Sequence, residues 1–320
     1  MSTGGSRRAV FAALLANLGI AIAKFIGFFF TRSSSMLAEG VHSLADTGNQ
    51  LLLLLGGHRA KKEPTAIHPF GYGRERYFWA FVVSIVLFAL GSMFAIFEGV
   101  EKLLHPHELE SPQWAIGILL IAMVLEASSF RTAVRESNPL RKGATWAEFI
   151  RRSKAPELPV LLLEDSGALI GLVIALVAVI LSVITGSGIW DGVGSTLIGL
   201  LLGAIAVVLA TEMKSLLIGE SASDADESDI RAAIDGEDRV RSLIHLRTEH
   251  IGPEELLVGA KIDFDRALTV RELAVGIDRV EAAIRQAVPS ARVIYLEPDI
   301  ARTAADPDAP DAPDAPGPTD

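Results

Sequence analysis

His42 and Asp46 lie four residues apart inside a long apolar stretch that covers residues 36–56. On a helix this spacing puts both side chains on one face, one turn apart. Ionisable side chains are costly inside a bilayer, so in a membrane helix they usually mark a path for ions or protons. An imidazole and a carboxylate supply half of a tetrahedral site that suits zinc, and another helix must supply the rest. The alternative is that neighbouring helices satisfy the pair, which then only holds the helices together.

A second acidic pair, Glu164 and Asp165, lies in the apolar stretch 158–184. Asp165 is the best candidate on a second helix for the same site, because an unpaired carboxylate in a membrane is costly. An ion pair with Lys24 is the alternative for Asp165. Neighbours on a helix point ~100° apart, so Glu164 and Asp165 do not both face one site squarely. Glu164 therefore either reaches the site as a fourth ligand or forms a bond elsewhere.

Four further polar side chains lie in the apolar stretches. Asn49 continues the His42 face at i+7, where it either supports the ligands with a hydrogen bond or packs as an amide between helices. Glu126, in the fourth stretch, is suited to accept a proton or to pair with an arginine. Glu98 and Lys102 lie four residues apart in the third stretch, where an ion pair is the simplest interpretation.

The chemistry of these residues requires helices that cross a membrane. Half of the 320 residues are hydrophobic, and the mean hydropathy is positive. A crossing needs ~20 apolar residues, and six stretches are long enough. They cover residues 9–30, 36–56, 78–103, 113–134, 158–184 and 190–213. The first is too long for the apolar region of a signal peptide, so we expect it to remain in the protein.

Lysine and arginine are segregated to one side of the six stretches, which predicts the orientation of the chain. That side carries Arg7, Arg8, Arg59, Lys61, Lys62, Arg74, Arg76, Arg135, Arg141, Lys142, Arg151, Arg152 and Lys154. The other side has only Arg32 and, at the end of the third stretch, Lys102. Because basic residues favour the cytoplasm, both termini are expected there, which agrees with six crossings.

After Lys214 the sequence becomes polar and follows the periodicities of a soluble domain. The patterns predict, in chain order, helix 224–234, strands 240–250 and 256–265, helix 270–287 and strand 292–296. Ser223 and Thr269 are the predicted helix caps, and Glu272 completes a capping box with Thr269. The order αββαβ indicates a small ferredoxin-like domain.

The predicted fold class is a membrane all-α bundle of six transmembrane helices plus a C-terminal cytoplasmic α+β ferredoxin-like domain. The predicted boundaries are 1–8 for a cytoplasmic N-terminal tail, 9–215 for the six-span domain, 216–300 for the ferredoxin-like domain and 301–320 for a C-terminal tail. That tail repeats Asp-Ala-Pro, and its acidic, proline-rich composition predicts disorder.

Composition and motifs argue against several classes of protein. Cysteine is absent, which excludes disulfides and thiolate metal sites. Nothing in the charge pattern suggests nucleic-acid binding. The His-Glu-x-x-His motif is missing, which argues against an intramembrane metalloenzyme. No segment resembles a pore loop, and a dedicated ligand set holds an ion too tightly for the fast conduction of a channel.

Three segments carry a resemblance to a known family. They are His42-Ser43-Leu44-Ala45-Asp46-Thr47-Gly48-Asn49-Gln50, His68-Pro69-Phe70-Gly71-Tyr72-Gly73 and Leu163-Glu164-Asp165-Ser166. Together with the six stretches and the αββαβ order, they resemble the cation diffusion facilitator family of the zinc-transporter type. The likeness is to its zinc transporter 9-like branch in particular, and it covers the chain from about residue 9 to residue 300.

The resemblance implies a homodimeric antiporter in the lipid bilayer, not an enzyme, which moves a divalent metal ion out of the cytoplasm while protons return. Carried over by position, His42, Asp46 and Asp165 are the implied transport-site ligands. Zinc is then the transported substrate, and no permanently bound cofactor is implied. The default location is the inner membrane of a bacterial cell, and an organelle of a eukaryote is the alternative.

Leu161 departs from the family's pattern in the transport site. Many members place a histidine or aspartate there, four residues before the acid of the fifth span. Glu164, water or a backbone carbonyl must then complete the ligand set. Fewer nitrogen ligands shift the preference toward harder cations, so manganese, iron and cobalt stand beside zinc as substrates. A member that senses metal or binds a partner without transporting is the remaining alternative.

The other departures concern metal sites outside the bundle. Tyr72 stands where some members have a second loop histidine, so we expect no metal site in the glycine-rich loop. Lys261 and Tyr295 fall near metal-binding positions of the cytoplasmic domain. What remains there is a weak set of three candidate ligands: His245, His250 and Glu297.

Overall fold

The computed structural model describes residues 3–106, 109, 111–141 and 143–301, with side chains from residue 17 onward. The chain divides into two compact units, Met1–Ile218 and Gly219–Asp320. The described part of the first unit is helical, and the second unit contains a three-stranded sheet. Apart from Ala301, the predicted disordered tail lies outside the described residues.

The helices of the first unit follow the predicted stretches closely. They are α1 (Thr3–Thr31), α2 (Ser34–Arg59), α3 (Glu75–Val86), a π-helical segment (Leu87–Met93), α4 (Phe94–Leu104), α5 (Pro112–Arg141), α6 (Trp146–Arg152), α7 (Glu157–Thr185) and α8 (Ile189–Ile218). Helix α1 begins at Thr3, so most of the predicted N-terminal tail is helical. The predicted third stretch is one continuous helix in which the π-helical segment joins α3 to α4.

Among the described residues, four helices are long and apolar enough to cross a membrane: Glu75–Leu104, Pro112–Arg141, Glu157–Thr185 and Ile189–Ile218. A shorter apolar segment, Asn17–Thr31, lies in α1. Large apolar side chains are exposed on the outer surfaces of these helices, including Ile26, Phe97, Ile121, Val124, Ile184 and Val207. An apolar surface of this extent suits contact with lipid rather than with water.

Glycines let the helix that ends in α4 approach α8 closely. A Cβ atom on Gly199 would lie 2.8 Å from the backbone nitrogen of Ile96 and 2.9 Å from the carbonyl oxygen of Ser92. A Cβ atom on Gly99 would lie 2.8 Å from the carbonyl oxygen of Gly192. Backbone contacts of this kind are typical of helix packing in membranes. Helices there attract each other through van der Waals packing instead of the hydrophobic effect, and small residues let their backbones approach closely.

Asp191, at the start of α8, closes the N-terminal end of α2. Its carboxylate accepts a hydrogen bond from the Ser33 hydroxyl (2.7 Å) and from the backbone N–H groups of Ser34 (2.6 Å) and Ser35 (3.2 Å). These N–H groups have no partner within the helix, and the carboxylate also faces the positive end of the helix dipole. Asp191 is fully buried, so the contact fixes α2 against α8.

The charges of Glu98 and Lys102 interact, but their side chains do not form the direct ion pair that the spacing predicts. Glu98 accepts a hydrogen bond from the Ser34 hydroxyl (3.1 Å). The Lys102 ammonium donates to the carbonyl oxygen of Arg32 (3.3 Å) and lies 3.9 Å from the Asp191 carboxylate. Both side chains thus bond to residues at the turn between α1 and α2, because buried polar groups there need hydrogen-bond partners.

The second unit has the predicted αββαβ order. Its elements are α9 (Asp224–Asp235), β1 (Val240–Gly252), β2 (Glu255–Phe264), α10 (Val270–Ala287) and β3 (Ala291–Asp299). The sheet order is β1-β2-β3, with β1 antiparallel and β3 parallel to β2. Apolar side chains of both helices and the sheet form one core, including Ile230, Ile234, Val258, Ile262, Val280 and Ile284.

The caps predicted for the two helices of this unit are confirmed. The Ser223 hydroxyl accepts the N–H of Asp226, and the Thr269 hydroxyl accepts the N–H of Glu272. The Glu272 carboxylate accepts the N–H of Thr269 in return. Because hydrogen bonds from Thr269 stabilise the ionised carboxylate, they lower the pKa of Glu272.

Candidate metal site

The His42 and Asp46 side chains lie on one face of α2, as the spacing predicts, and both are buried. His42 Nδ1 is 3.4 Å from Asp46 Oδ1. Among the described residues, neither ring nitrogen of His42 has a hydrogen-bond partner, and Asp46 Oδ1 has none. Buried polar atoms normally have partners, so this turn of α2 presents unused ligand atoms.

Glu164 points toward α2. The Asn49 side-chain amide donates a hydrogen bond of 2.6 Å to Glu164 Oε1, and both side chains are buried. The contact joins α2 to α7 one turn beyond Asp46. The Asn49 amide therefore lies between α2 and α7 and is hydrogen-bonded to Glu164.

Asp165 faces α5. Its Oδ2 atom accepts a hydrogen bond of 3.0 Å from the Ser129 hydroxyl. The different directions of Glu164 and Asp165 follow from the ~100° turn between neighbouring helical residues. The alternative ion pair between Asp165 and Lys24 is not formed, because Lys24 bonds instead to Glu39 (2.9 Å).

Four carboxylates nevertheless share one buried region between α2, α5 and α7. The charge of Asp46 interacts with those of Glu164, Glu126 and Asp165. Glu126 is itself buried, on the face of α5 that carries Ser129. Within the described ranges, no three His, Asp or Glu side chains are close enough together to hold a metal ion. The region is thus rich in acceptors, but two of its carboxylates, Glu164 and Asp165, are engaged in contacts between helices.

Leu161 lies in apolar surroundings. It packs on a cluster formed by Ala133 of α5, Phe149 of α6 and Leu162 of α7. The short helix α6, which lies between the fourth and fifth predicted stretches, brings Phe149 to this place and starts with a Thr145–Glu148 capping box. A leucine at this position is therefore explained by packing.

The glycine-rich loop before α3 is held by aromatic contacts. The ring centroids of His68 and Tyr72 are 4.7 Å apart, and the Lys62 ammonium lies 5.7 Å from the Tyr72 ring centroid. Gly71 has a φ of 82°, which a glycine adopts without strain. These contacts lie within the segment that joins α2 to α3.

The three candidate ligands of the second unit lie apart on the sheet. His245, Lys261 and Glu297 form one row across β1, β2 and β3. The Lys261 ammonium is 3.1 Å from the Glu297 carboxylate, so a lysine already neutralises this candidate ligand. The pairing with Glu297 raises the pKa of Lys261. His250 is at the other end of β1, where its side chain is buried and its backbone N–H donates to the Glu220 carbonyl (2.8 Å).

Two residues at the membrane site were not predicted. Ser129 is the partner of Asp165, and its place three residues after Glu126 on α5 is the signal that would have found it. Glu39 is the partner of Lys24, and it is an acid three residues before His42 in the same apolar stretch. Each lies one helical turn from a residue that the sequence did single out.

The sequence matches that of known membrane proteins over most of its length. The profile of the cation efflux transmembrane domain matches residues 10–218. The human mitochondrial proton-coupled zinc antiporter SLC30A9 is 32% identical over 250 residues, which are 78% of this chain and 44% of the antiporter. The chain thus spans less than half the length of that relative.

Two other relatives extend the comparison to plants and bacteria. Metal tolerance protein C4 of Arabidopsis thaliana is 33% identical over 269 residues, which are 83% of this chain and 59% of that protein. The manganese efflux system protein MneP of Bacillus subtilis is 24% identical over 274 residues, which are 83% of this chain and 86% of MneP.

Proposed function

Because the chain belongs to the zinc transporter 9-like branch of the cation diffusion facilitator family, we propose that it exports a divalent metal ion from the cytoplasm in exchange for protons. It acts as a transporter and not as an enzyme. The observation that carries the proposal is the buried region that His42 and Asp46 of α2 share with the acidic residues of α7 and α5, whose charges interact with that of Asp46.

His42, Asp46 and Asp165 are the proposed ligands of the transported ion, with Glu164 as the fourth. Imidazole and carboxylate bind either a proton or a metal ion, so each ion displaces the other. The described side chains are too far apart to share one ion, so coordination requires Asp165 and Glu164 to move from the positions in which Ser129 and Asn49 hold them. Metal binding thereby releases contacts between α2, α5 and α7, which lets these helices shift between inward-facing and outward-facing states.

The remaining polar groups of the region have supporting roles in this proposal. Asn49 holds Glu164 while the site is free of metal, and Glu126 is a stage of the proton pathway. Both are buried, and Glu126 interacts electrostatically with Asp46. An acid that is near the ligands but outside the coordination shell can take up a proton as metal leaves.

We further propose that α1, α2, the α3–α4 helix, α5, α7 and α8 make six crossings, with both termini in the cytoplasm. The excess of lysine and arginine in the loops after α2 and α5 supports this orientation. The second unit then lies in the cytoplasm as a ferredoxin-like domain. A homodimer in the inner membrane of a bacterial cell is the proposed assembly and location, on the strength of the family resemblance.

Zinc is the proposed substrate, and manganese, iron or cobalt are the alternatives. The relatives named for zinc and for manganese support this range. A metal site in the second unit, formed by His245, His250 and Glu297, is the weakest element of the proposal, because Lys261 already neutralises Glu297. A metal sensor that does not transport is the competing function.

Uptake into proteoliposomes with an acidic interior tests the proposal. Zn²⁺, Mn²⁺ and Fe²⁺ are offered to the native protein and to Asp46→Ala, Asp165→Ala and the control Thr47→Ala. Thr47 is the buried neighbour of Asp46, and its hydroxyl bonds only to the Ser43 carbonyl of its own helix. We expect uptake by the native protein and the control, and a loss of about a hundredfold or more in both aspartate variants, by analogy with the loss of a metal ligand. Normal transport by Asp46→Ala contradicts the proposed site, and no uptake of any ion by correctly inserted native protein favours the sensor.

A further inference from the structure

A buried ion pair lies beside the proposed site and outside its ligand set. Lys24 Nζ of α1 is 2.9 Å from Glu39 Oε2 and 2.7 Å from the Ser43 hydroxyl, both on α2. The side chains of Lys24 and Glu39 are fully buried. Glu39 and Ser43 are four residues apart, so the lysine spans the helical turn that carries His42.

The structure makes room for this pair although charges inside a membrane are costly. Glu39 Oε1 has no hydrogen-bond partner in the part of the chain that the structure describes. It faces Gly171 of α7, where a Cβ atom would collide with it. A glycine on the neighbouring helix thus preserves space for a carboxylate of which only one oxygen atom accepts a hydrogen bond. A pair whose sole role was to stabilise the fold would be better replaced by apolar side chains.

The pair also acts on the site through its charge. The positive charge of Lys24 interacts with His42, Asp46 and Glu126. Lys102 is the other fully buried lysine among the residues described, and it faces Asp191 rather than these acids. Lys24 is therefore the fixed cation of this region, and a divalent ion at His42 and Asp46 is repelled by it over a short, poorly screened distance.

We propose that the Lys24–Glu39 pair sets the affinity of the site for its metal ion. Lys24 weakens the hold of the acidic residues on a divalent cation, so that the ion can leave, and Glu39 limits this repulsion. A transported ion must bind well enough to enter and weakly enough to depart, which requires such a balance. The inference rests on the proposed function, and neither residue is assigned as a ligand.

The two single substitutions distinguish this role from a structural one. Lys24→Met removes the repulsion and leaves Glu39 negative, so the site should bind Zn²⁺ more tightly. Glu39→Gln leaves Lys24 positive and unpaired, so the site should bind Zn²⁺ more weakly. Both substitutions break the same contact, and a purely structural pair would therefore shift the affinity in the same direction in both variants.

The experiment is calorimetric titration of Zn²⁺ into the purified full chain in detergent, with initial transport rates in proteoliposomes. We expect Kd to fall at least about fivefold in Lys24→Met, with a lower maximal rate, and to rise at least about fivefold in Glu39→Gln. The double variant Lys24→Met/Glu39→Gln buries no net charge, as the native pair does, and should stay within about twofold of the native Kd.

The outcomes separate this inference from the proposed function. Shifts of the same sign in the two single variants, or no shift in either, overturn the affinity-setting role while native binding and transport leave the transporter intact. Failure of the native protein to bind or move Zn²⁺, Mn²⁺ or Fe²⁺ overturns both. If Lys24→Met does not fold, an unchanged Kd in Glu39→Gln is enough to reject the inference, because that variant alone leaves the lysine unpaired.

Discussion

In the proposed metal site, the direction of each side chain determines which neighbouring helix supplies its hydrogen-bond partner. Asn49 holds Glu164 from α2, and Ser129 holds Asp165 from α5. His42 and Asp46 keep ligand atoms without hydrogen bonds. A divalent ion that drew these groups together would exchange two contacts between helices for metal–ligand bonds. Two of the proposed ligands, Glu164 and Asp165, are thus the residues whose contacts join the helices that we propose to move.

Leu161 provides a test of metal preference at the level of one residue. It stands four residues before Asp165, the same spacing that joins His42 to Asp46. Leu161→His therefore offers a second nitrogen ligand, and nitrogen favours zinc over manganese. We expect the ratio of zinc to manganese transport, compared as kcat/KM, to rise about tenfold, equivalent to ~1.4 kcal/mol.

The control for this substitution is Leu161→Met, which keeps an apolar side chain of similar volume against Phe149. It should leave the zinc-to-manganese ratio unchanged. A ratio that is equal in the histidine and methionine variants would mean that this turn of α7 does not reach the ion.

At the scale of the elements, the ends of α2 and α8 are held by a single buried carboxylate. Asp191→Ala leaves the Ser33 hydroxyl and the N–H groups of Ser34 and Ser35 without their acceptor, and Lys102 without its carboxylate. Because each buried donor left unpaired costs about 1–3 kcal/mol, we expect the free energy of unfolding to fall by about 2 kcal/mol or more.

Unfolding of the purified protein in detergent measures this loss. Asp229→Ala is the matched control, since Asp229 is an exposed aspartate on α9 and its removal should change the free energy of unfolding by less than about 0.5 kcal/mol. Equal stabilities of the Asp191→Ala and Asp229→Ala variants would show that the cap does not hold α2 against α8.

The helices themselves were predictable from sequence, and their partners were not. Hydrophobic length located each long helix of the first unit, and capping boxes located the start of α10. Periodicity cannot give the rotation of one helix against another, which depends on close packing at positions such as Gly171 and Gly199. For that reason the sequence left Lys24 as a possible partner of Asp165, whereas Glu39 and Ser43 hold it.

At the scale of the whole molecule, the two units differ in the chemistry they offer. The first combines a lipid-compatible surface with a buried acidic region, as a transporter of cations requires. The second has an ordinary soluble core and a sheet on which Lys261 pairs with Glu297. Metal chemistry is therefore expected in the first unit, and the proposed exchange of metal for protons is a property of α2, α5 and α7.

The most direct test of this exchange measures both ions in one experiment. Zn²⁺ is added to proteoliposomes that contain a metal indicator and a pH indicator, with the native protein or Asp46→Ala inserted. We expect zinc entry and alkalinisation of the interior to begin together in the native protein, and both to be lost in Asp46→Ala. Zinc entry without any proton movement, or coupled movement that persists in Asp46→Ala, would contradict the proposed exchange.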